Sequence, residues 1–142
     1  MEDGVVRLKP IMPDDRSAIL IVDDDPLIRS ICKKVVESSG FSAVQAENGL
    51  EALNIYRERH DGIALVLSDI AMPVMDGIAL AQAMFALKPH SNVILMTGYT
   101  TLIPGDLQRL CALLYKPFTP RQLLDAIKKC LDYEEVSSAS SP

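Results

Sequence analysis

The stretch AILIVDDDP, residues 18–26, decides how the chain is read. Its five leading apolar residues are too few for a buried helix and suit a strand. Three aspartates follow at once. From Pro26 the pattern changes: Leu27, Ile28, Ile31, Cys32, Val35 and Val36 recur at steps of three and four, which is the apolar stripe of a helix. Asp25 is placed to cap it, Pro26 suits its first position and Gly40 its exit. Residues 18–39 are therefore a strand, an acidic loop and a helix.

Outward from this unit the pattern repeats. Ser42–Ala46, residues 63–67, residues 93–96 and Ala112–Tyr115 read as further strands. Gly49–Arg59 reads as a helix with Leu50, Leu53 and Tyr56 or Ile55 inward. Residues 78–87 read as another, ended by Pro89, and Pro120–Leu131 as a last one with Leu123, Leu124, Ile127 and Leu131 inward. Pro104 and Gly105 interrupt residues 100–110, so the pattern predicts only a short or late-starting fourth helix there. Short apolar strands alternating with one-sided helices predict an α/β fold, a doubly wound five-stranded parallel sheet of five βα units. Residues 1–17 read as an extension or linker, 18–133 as the domain, and 134–142, closing in EEVSSASSP, as a flexible tail.

Bulk properties exclude several functions. A chain of 142 residues has room for one ordinary domain and none for an added effector domain. Output is then expected through contact with another protein, or the sequence is part of a hybrid kinase or larger regulator. The net charge of -5 gives no counterion-release drive toward nucleic acid. Cys32, Cys111 and Cys130 are odd in number and lack CxxC or Cys/His metal spacing, so they read as incidental thiols of a reducing compartment. The N-terminal residues lack the basic-then-apolar order of a signal peptide. No apolar run approaches the roughly 20 residues of a membrane span. The expected location is the cytoplasm.

In an open parallel sheet, ligands bind beyond the C-terminal strand ends, where the strand order reverses. The polar residues there are Asp23, Asp24 and Asp25 after the first strand, Asp69 after the third, Thr97 after the fourth and Lys116 after the fifth. If the first and third strands are neighbours, Asp23, Asp24 and Asp69 converge and repel one another, which demands a positive partner. Carboxylates, a backbone carbonyl and water, without His or thiolate, make a hard oxygen site suited to Mg2+. With Lys116 as a second cation and the Thr97 hydroxyl as a donor, the set is suited to neutralising a phosphoryl group during transfer.

Four stretches carry a family resemblance: ILIVDDDP at 19–26, LVLSDIAMPVMDG at 65–77, ILMTG at 94–98 and YKPFTP at 115–120. The chain resembles the receiver domain of response regulators from about Ala18 to Tyr133. That resemblance implies a flavodoxin-like fold with strand order 2-1-3-4-5 and a phosphoryl group passed from a histidine kinase or phosphotransfer protein to Asp69 with Mg2+. It implies Asp24 as a direct metal ligand, Asp23 as a ligand largely through water, and the Ala71 backbone carbonyl as a further ligand. Thr97 and Lys116 would meet the phosphoryl oxygens, and the Lys116–Pro117 bond would be cis. The sequence departs from the family pattern at Leu113, where Tyr or Phe is usual, and in a short Thr97-to-Lys116 segment.

Two other functions fit parts of the pattern. One is a haloacid-dehalogenase-like phosphatase with Asp23 as nucleophile, which leaves Asp69 unexplained and lacks an acidic pair after Lys116. The other is a receiver-shaped interaction module that is never phosphorylated. The apolar segment at 78–87 reads as core packing. Ala79, Ala81, Ala83 and Ala86 leave its outer face poor in polar groups, which suggests a weak homodimer or partner surface. His60 and His90 are expected at solvent-exposed helix ends, neither placed as a phosphodonor. Ala71 and Tyr99 are expected to shape water access to the site.

Overall fold

The computed structural model describes residues 6–10, 16–98 and 104–137. In chain order its elements are β1 (Val6–Pro10), β2 (Ala18–Val22), α1 (Pro26–Ser38), β3 (Ser42–Ala46), α2 (Gly49–Arg59), β4 (Ile63–Asp69), α3 (Gly77–Leu87), β5 (Val93–Thr97), β6 (Ala112–Tyr115), α4 (Pro120–Leu131) and β7 (Tyr133–Ser137). Strands β2 to β6 form one parallel sheet in the order β3-β2-β4-β5-β6. Numbered as the five strands of the sequence pattern, this is 2-1-3-4-5.

The central strands are apolar on both sides because both sides are covered. Successive residues of a strand face opposite ways, so Ile19, Ile21, Leu65, Leu67, Ile94 and Met96 enter one core with α1 and α4. Leu20, Val22, Val66, Val93 and Leu95 enter a second core with α2 and α3. Every residue of β2, β4 and β5 is buried.

Each α-helix begins on a side-chain cap: Asp25 accepts from the Leu27 N–H, Asn48 from Glu51, Asp76 from Ala79, and Thr119 shares a reciprocal capping box with Gln122. At the exit of α1, Gly40 takes φ +105, a conformation that glycine adopts without penalty. Asp25→Ala is expected to cost about 1 kcal/mol. Denaturant unfolding should show a lower midpoint at unchanged slope.

Several apolar expectations fail, each because a helix lying on a sheet buries only one arc of its circumference. In α1, Cys32 and Val36 face the sheet, whereas Leu27 and Ile31 lie 65% and 45% exposed. In α2 the inward residues are Ala52, Leu53 and Tyr56, and Leu50 is exposed. In α3, Ala81 is buried rather than outward, and Leu87 is exposed at the last turn. His60 is half-buried and sits 6.0 Å from the Tyr56 ring, centroid to centroid, while His90 is exposed as expected.

The fourth helix is reduced, among the described residues, to one 3-10 turn, Gly105–Leu107, whose Leu107 is buried. Pro104 has no N–H to donate and Gly105 resists helix propagation. Tyr99 and residues 100–103 lie outside the described residues. Leu113 is a half-buried strand residue packed against the second core.

The two ends carry structure that the pattern did not announce. Residues 6–10 and 133–137, overlapping the stretches read as extension and tail, pair as the antiparallel ribbon β1–β7, from Val6 opposite Ser137 to Pro10 opposite Tyr133. Leu8 is buried and its N–H donates to the Ser39 carbonyl at 2.9 Å. The Phe41 and Tyr133 rings lie 4.9 Å apart. Glu135 is bridged by Arg121 and Lys128 of α4, which hold its carboxyl down to about 2.

Candidate functional site

Strand register brings the distant polar residues to one rim. Val22 pairs with Ser68 and with Ala46, Asp69 with Met96, and Thr97 with Tyr115. Asp23 and Asp69 therefore stand side by side, with Thr97 one residue and Lys116 two residues further along the neighbouring strands, all at the same rim. Alternation then sorts them: Asp23 continues the face of Ile19 and Ile21, Asp69 that of Leu65 and Leu67, and Lys116 that of Ala112 and Leu114. All three fall on the α1/α4 side of the sheet. Thr97 continues the face of Val93 and Leu95 and is buried beside them.

Asp23, Asp24 and Asp69 each offer a carboxylate oxygen within 4.8 Å of the others. Asp23 is fully buried, Asp69 nearly so, and Asp24 is exposed. The Lys116 ammonium lies 2.9 Å from Asp23 Oδ2 and 3.1 Å from Asp69 Oδ1. Asp23 is held further by its own loop, since its Oδ1 accepts the Asp25 N–H at 2.9 Å. Arg29 Nη1 donates to its backbone carbonyl at 2.6 Å. The Lys116–Pro117 peptide is cis, as the resemblance implied.

Burial raises the Asp69 carboxyl above its ordinary value, with Asp23 and Asp24 adding repulsion and Lys116 opposing them. Burial alone would lower Lys116, yet its hydrogen bonds and charge contacts with Asp23 and Asp69 leave it raised. One lysine thus faces three carboxylates. The oxygen-only donors suit a hard divalent cation, and a net negative cluster supplies the drive to hold one. The residues present therefore fit Mg2+. Ala71, whose carbonyl was the fourth expected ligand, lies exposed in the loop after β4.

The uncompensated repulsion has a thermodynamic consequence. A carboxyl with a raised folded value binds more protons folded than unfolded, so stability falls as pH rises from the ordinary value through the raised one. Asp69→Asn removes that loss and is expected to raise the melting temperature of the metal-free protein at neutral pH, with little gain below the ordinary carboxyl range. Thermal unfolding in chelator at two pH values measures it.

The β4–α3 loop is held by backbone contacts the sequence pattern did not single out. Val74 takes φ 71 and the Met75 N–H donates to the Pro73 carbonyl at 2.8 Å, a tight γ-turn. The Met75 carbonyl in turn accepts the Gly49 N–H at 3.0 Å. The Gly77 N–H donates to the Ile70 carbonyl at 2.9 Å, and a Cβ on Gly77 would lie 2.1 Å from the Asp69 carbonyl oxygen. Gly77→Ala must displace backbone directly behind Asp69, so it is expected to cost about 2–3 kcal/mol and to weaken Mg2+ binding in the same variant. Unfolding and metal titration together check this.

Of the expected site residues, the structure brings Asp23, Asp24, Asp69 and Lys116 together and sets Thr97 at the same rim. Arg29 and Gly77 escaped the sequence reading. Arg29 lies on a helix face where arginine is unremarkable. Gly77 ends the stretch quoted at 65–77, and only the folded loop sets it against the Asp69 carbonyl.

Comparison with known proteins follows the same residues. The family model for the response regulator receiver domain matches residues 19–128. Sporulation initiation phosphotransferase F of Bacillus subtilis is 41% identical over 117 residues, covering 80% of this chain and 92% of the relative. The response regulator receiver protein CpdR of Brucella abortus is 33% identical over 116 residues, covering 80% and 95%. Among solved structures, the response regulator TrrA of Thermotoga maritima in complex with Mg2+ and beryllium fluoride superposes with a TM-score of 0.74 at 31% identity, covering 81% of this chain and 99% of that one.

Proposed function

The chain belongs to the response regulator receiver domain family of two-component signalling, and from that premise we propose that Asp69 accepts a phosphoryl group from a phosphohistidine partner, a sensor kinase or a phosphotransfer protein. The observation that carries the proposal is the three-carboxylate cluster served by one lysine at 2.9 and 3.1 Å. Family membership decides against the phosphatase reading centred on Asp23.

The unprotonated Asp69 oxygen attacks phosphorus while the bond to the imidazole nitrogen breaks, and that nitrogen keeps the electron pair. Lys116 moves its ion pair from the carboxylate toward the phosphoryl oxygens, and the Thr97 hydroxyl donates to them. Asp23 and Asp24, with Asp69 and the Ala71 carbonyl, would hold Mg2+, which when bound supplies positive charge to the transferring group. The burial of Asp23 fixes Lys116 in place. The modified rim changes the charge that partner proteins meet, so the domain signals through contacts and is not a turnover enzyme. Val74 and Leu27 lie exposed on the loop and helix that flank this rim.

The test is transfer of labelled phosphate from a phosphohistidine protein to the purified chain, with Mg2+ or with excess chelator. Label should pass to this chain only with Mg2+. Equal transfer in chelator would remove the metal from the account, and no transfer from any of several donors would remove the function.

A further inference from the structure

Two of the three cysteines, distant in sequence, meet in space on the side of the sheet that carries α4. Cys111 enters β6 with its N–H pinned to the Val93 carbonyl at 2.9 Å. Cys130 lies in the last turn of α4, the helix packed on that strand, and both are half-buried against the same core. Since α4 runs back across β6, the residue just before the strand and the last turn of the helix fall at the same end of the packed pair, which sets the two thiols side by side. The Cys111 sulfur also lies 3.6 Å from Asn92 Oδ1. Two neighbouring thiols at one end of a packed strand and helix are placed for a disulfide that spans the two elements.

We propose that Cys111 and Cys130 are an oxidation site that closes to an intramolecular disulfide when the protein meets a peroxide. The roles of the two sulfurs differ. The contact with Cys130 holds the Cys111 thiol down to about 7, burial opposing it and Lys129 adding to it, whereas the same contact and burial push Cys130 up. Cys111 is therefore the nucleophile. Its thiolate attacks one peroxide oxygen, the O–O bond breaks, the departing hydroxide takes a proton to become water, and Cys111 becomes a sulfenic acid. The Cys130 sulfur then attacks the Cys111 sulfur, and its proton leaves with the hydroxyl as a second water. In sum, two thiols and one peroxide give one disulfide and two waters.

Cys32 provides a control within the molecule. It is fully buried in α1, and burial, with Asp23 adding and Lys116 opposing, pushes its thiol up to about 11. It should resist the same oxidant. Because Cys111 precedes β6 and Lys116 follows it, the bond forms at the opposite end of that strand from the acidic rim. It joins α4 covalently to the sheet without touching the proposed phosphoacceptor.

The experiment treats the full chain with a low excess of hydrogen peroxide, blocks residual thiols and maps the peptides by mass. The expected product is a monomer lacking two hydrogens, with Cys111 and Cys130 in one cross-linked peptide pair and Cys32 blocked as a free thiol. Cys130→Ser should instead stop at a sulfenic acid on Cys111 that dimedone traps, and Cys111→Ser should leave Cys130 reduced. Oxidation first at Cys32, chains cross-linked between molecules, or two thiols that stay free in folded wild type would each overturn the proposal.

Discussion

Replacing Asp69 with Asn is expected to reduce phosphoryl acceptance to background while leaving the fold and its thermal stability intact or improved. An amide oxygen lacks the charge needed to attack phosphorus, and no other carboxylate of the cluster combines the same position with contact to Lys116. Asp23 contacts Lys116 too, but its other oxygen is tied to the Asp25 N–H and its side chain is only 1% exposed, so a donor cannot reach it. Asp24 is accessible but has no contact with the lysine among the described ion pairs. Asp23→Asn should therefore lower the yield without abolishing it. Acid-labile label per chain, compared among the three proteins, is the measurement, and persistence of label in Asp69→Asn would mean that the acceptor lies elsewhere.

The second large effect belongs to Lys116. Lys116→Met keeps most of the aliphatic stem and removes the only cation within an ion-pair distance of Asp23 and Asp69 among the described residues. Removing one partner of a buried charge set leaves the other uncompensated, at about 3 kcal/mol for a lysine still partly reached by water. A loss of this size lowers Tm by roughly 10 °C in a domain this long. The sign reverses with metal: a divalent cation no longer competes with the lysine, so Mg2+ should bind more tightly to the variant and restore much of its stability. Phosphoryl acceptance should still fall, because the charge that follows the phosphoryl oxygens is gone. Calorimetry with and without Mg2+ separates these effects, and a variant destabilised equally in both conditions would show that Lys116 acts only through packing.

The sheet was legible because a strand covered on both faces must be apolar at successive positions. ILIV at 19–22 and ALVL at 64–67 announce buried strands without knowledge of their neighbours. The acidic rim was legible for a related reason: polar residues that abruptly end such runs stand at strand ends, where this topology opens to solvent. What the runs did not reveal was the common side. That follows from counting alternate residues, Ile19, Ile21, Asp23 and Leu65, Leu67, Asp69, once the register is known.

The missed features depend on partners far away in sequence. β1 and β7 are short and polar, and each is a strand only because the other lies beside it, with Leu8 under the ribbon and Tyr133 against Phe41. Leu27, Ile31 and Leu50 satisfy the helical period, yet helix–sheet packing leaves their arc uncovered. The nearness of Cys111 to Cys130 has no sequence spacing to betray it, since it arises from α4 folding back across β6. Pro104 and Gly105, by contrast, were local signals, and the single turn at Gly105–Leu107 is what they permit.

The account rests on Asp69 being the residue that carries phosphate. After phosphotransfer in Mg2+, borohydride reduction converts an aspartyl phosphate to homoserine, and peptide mapping by mass then reads its position. Conversion at Asp69, with Asp23 and Asp24 unmodified, is the expected result. Homoserine at Asp23 or Asp24, with Asp69 intact, would contradict it.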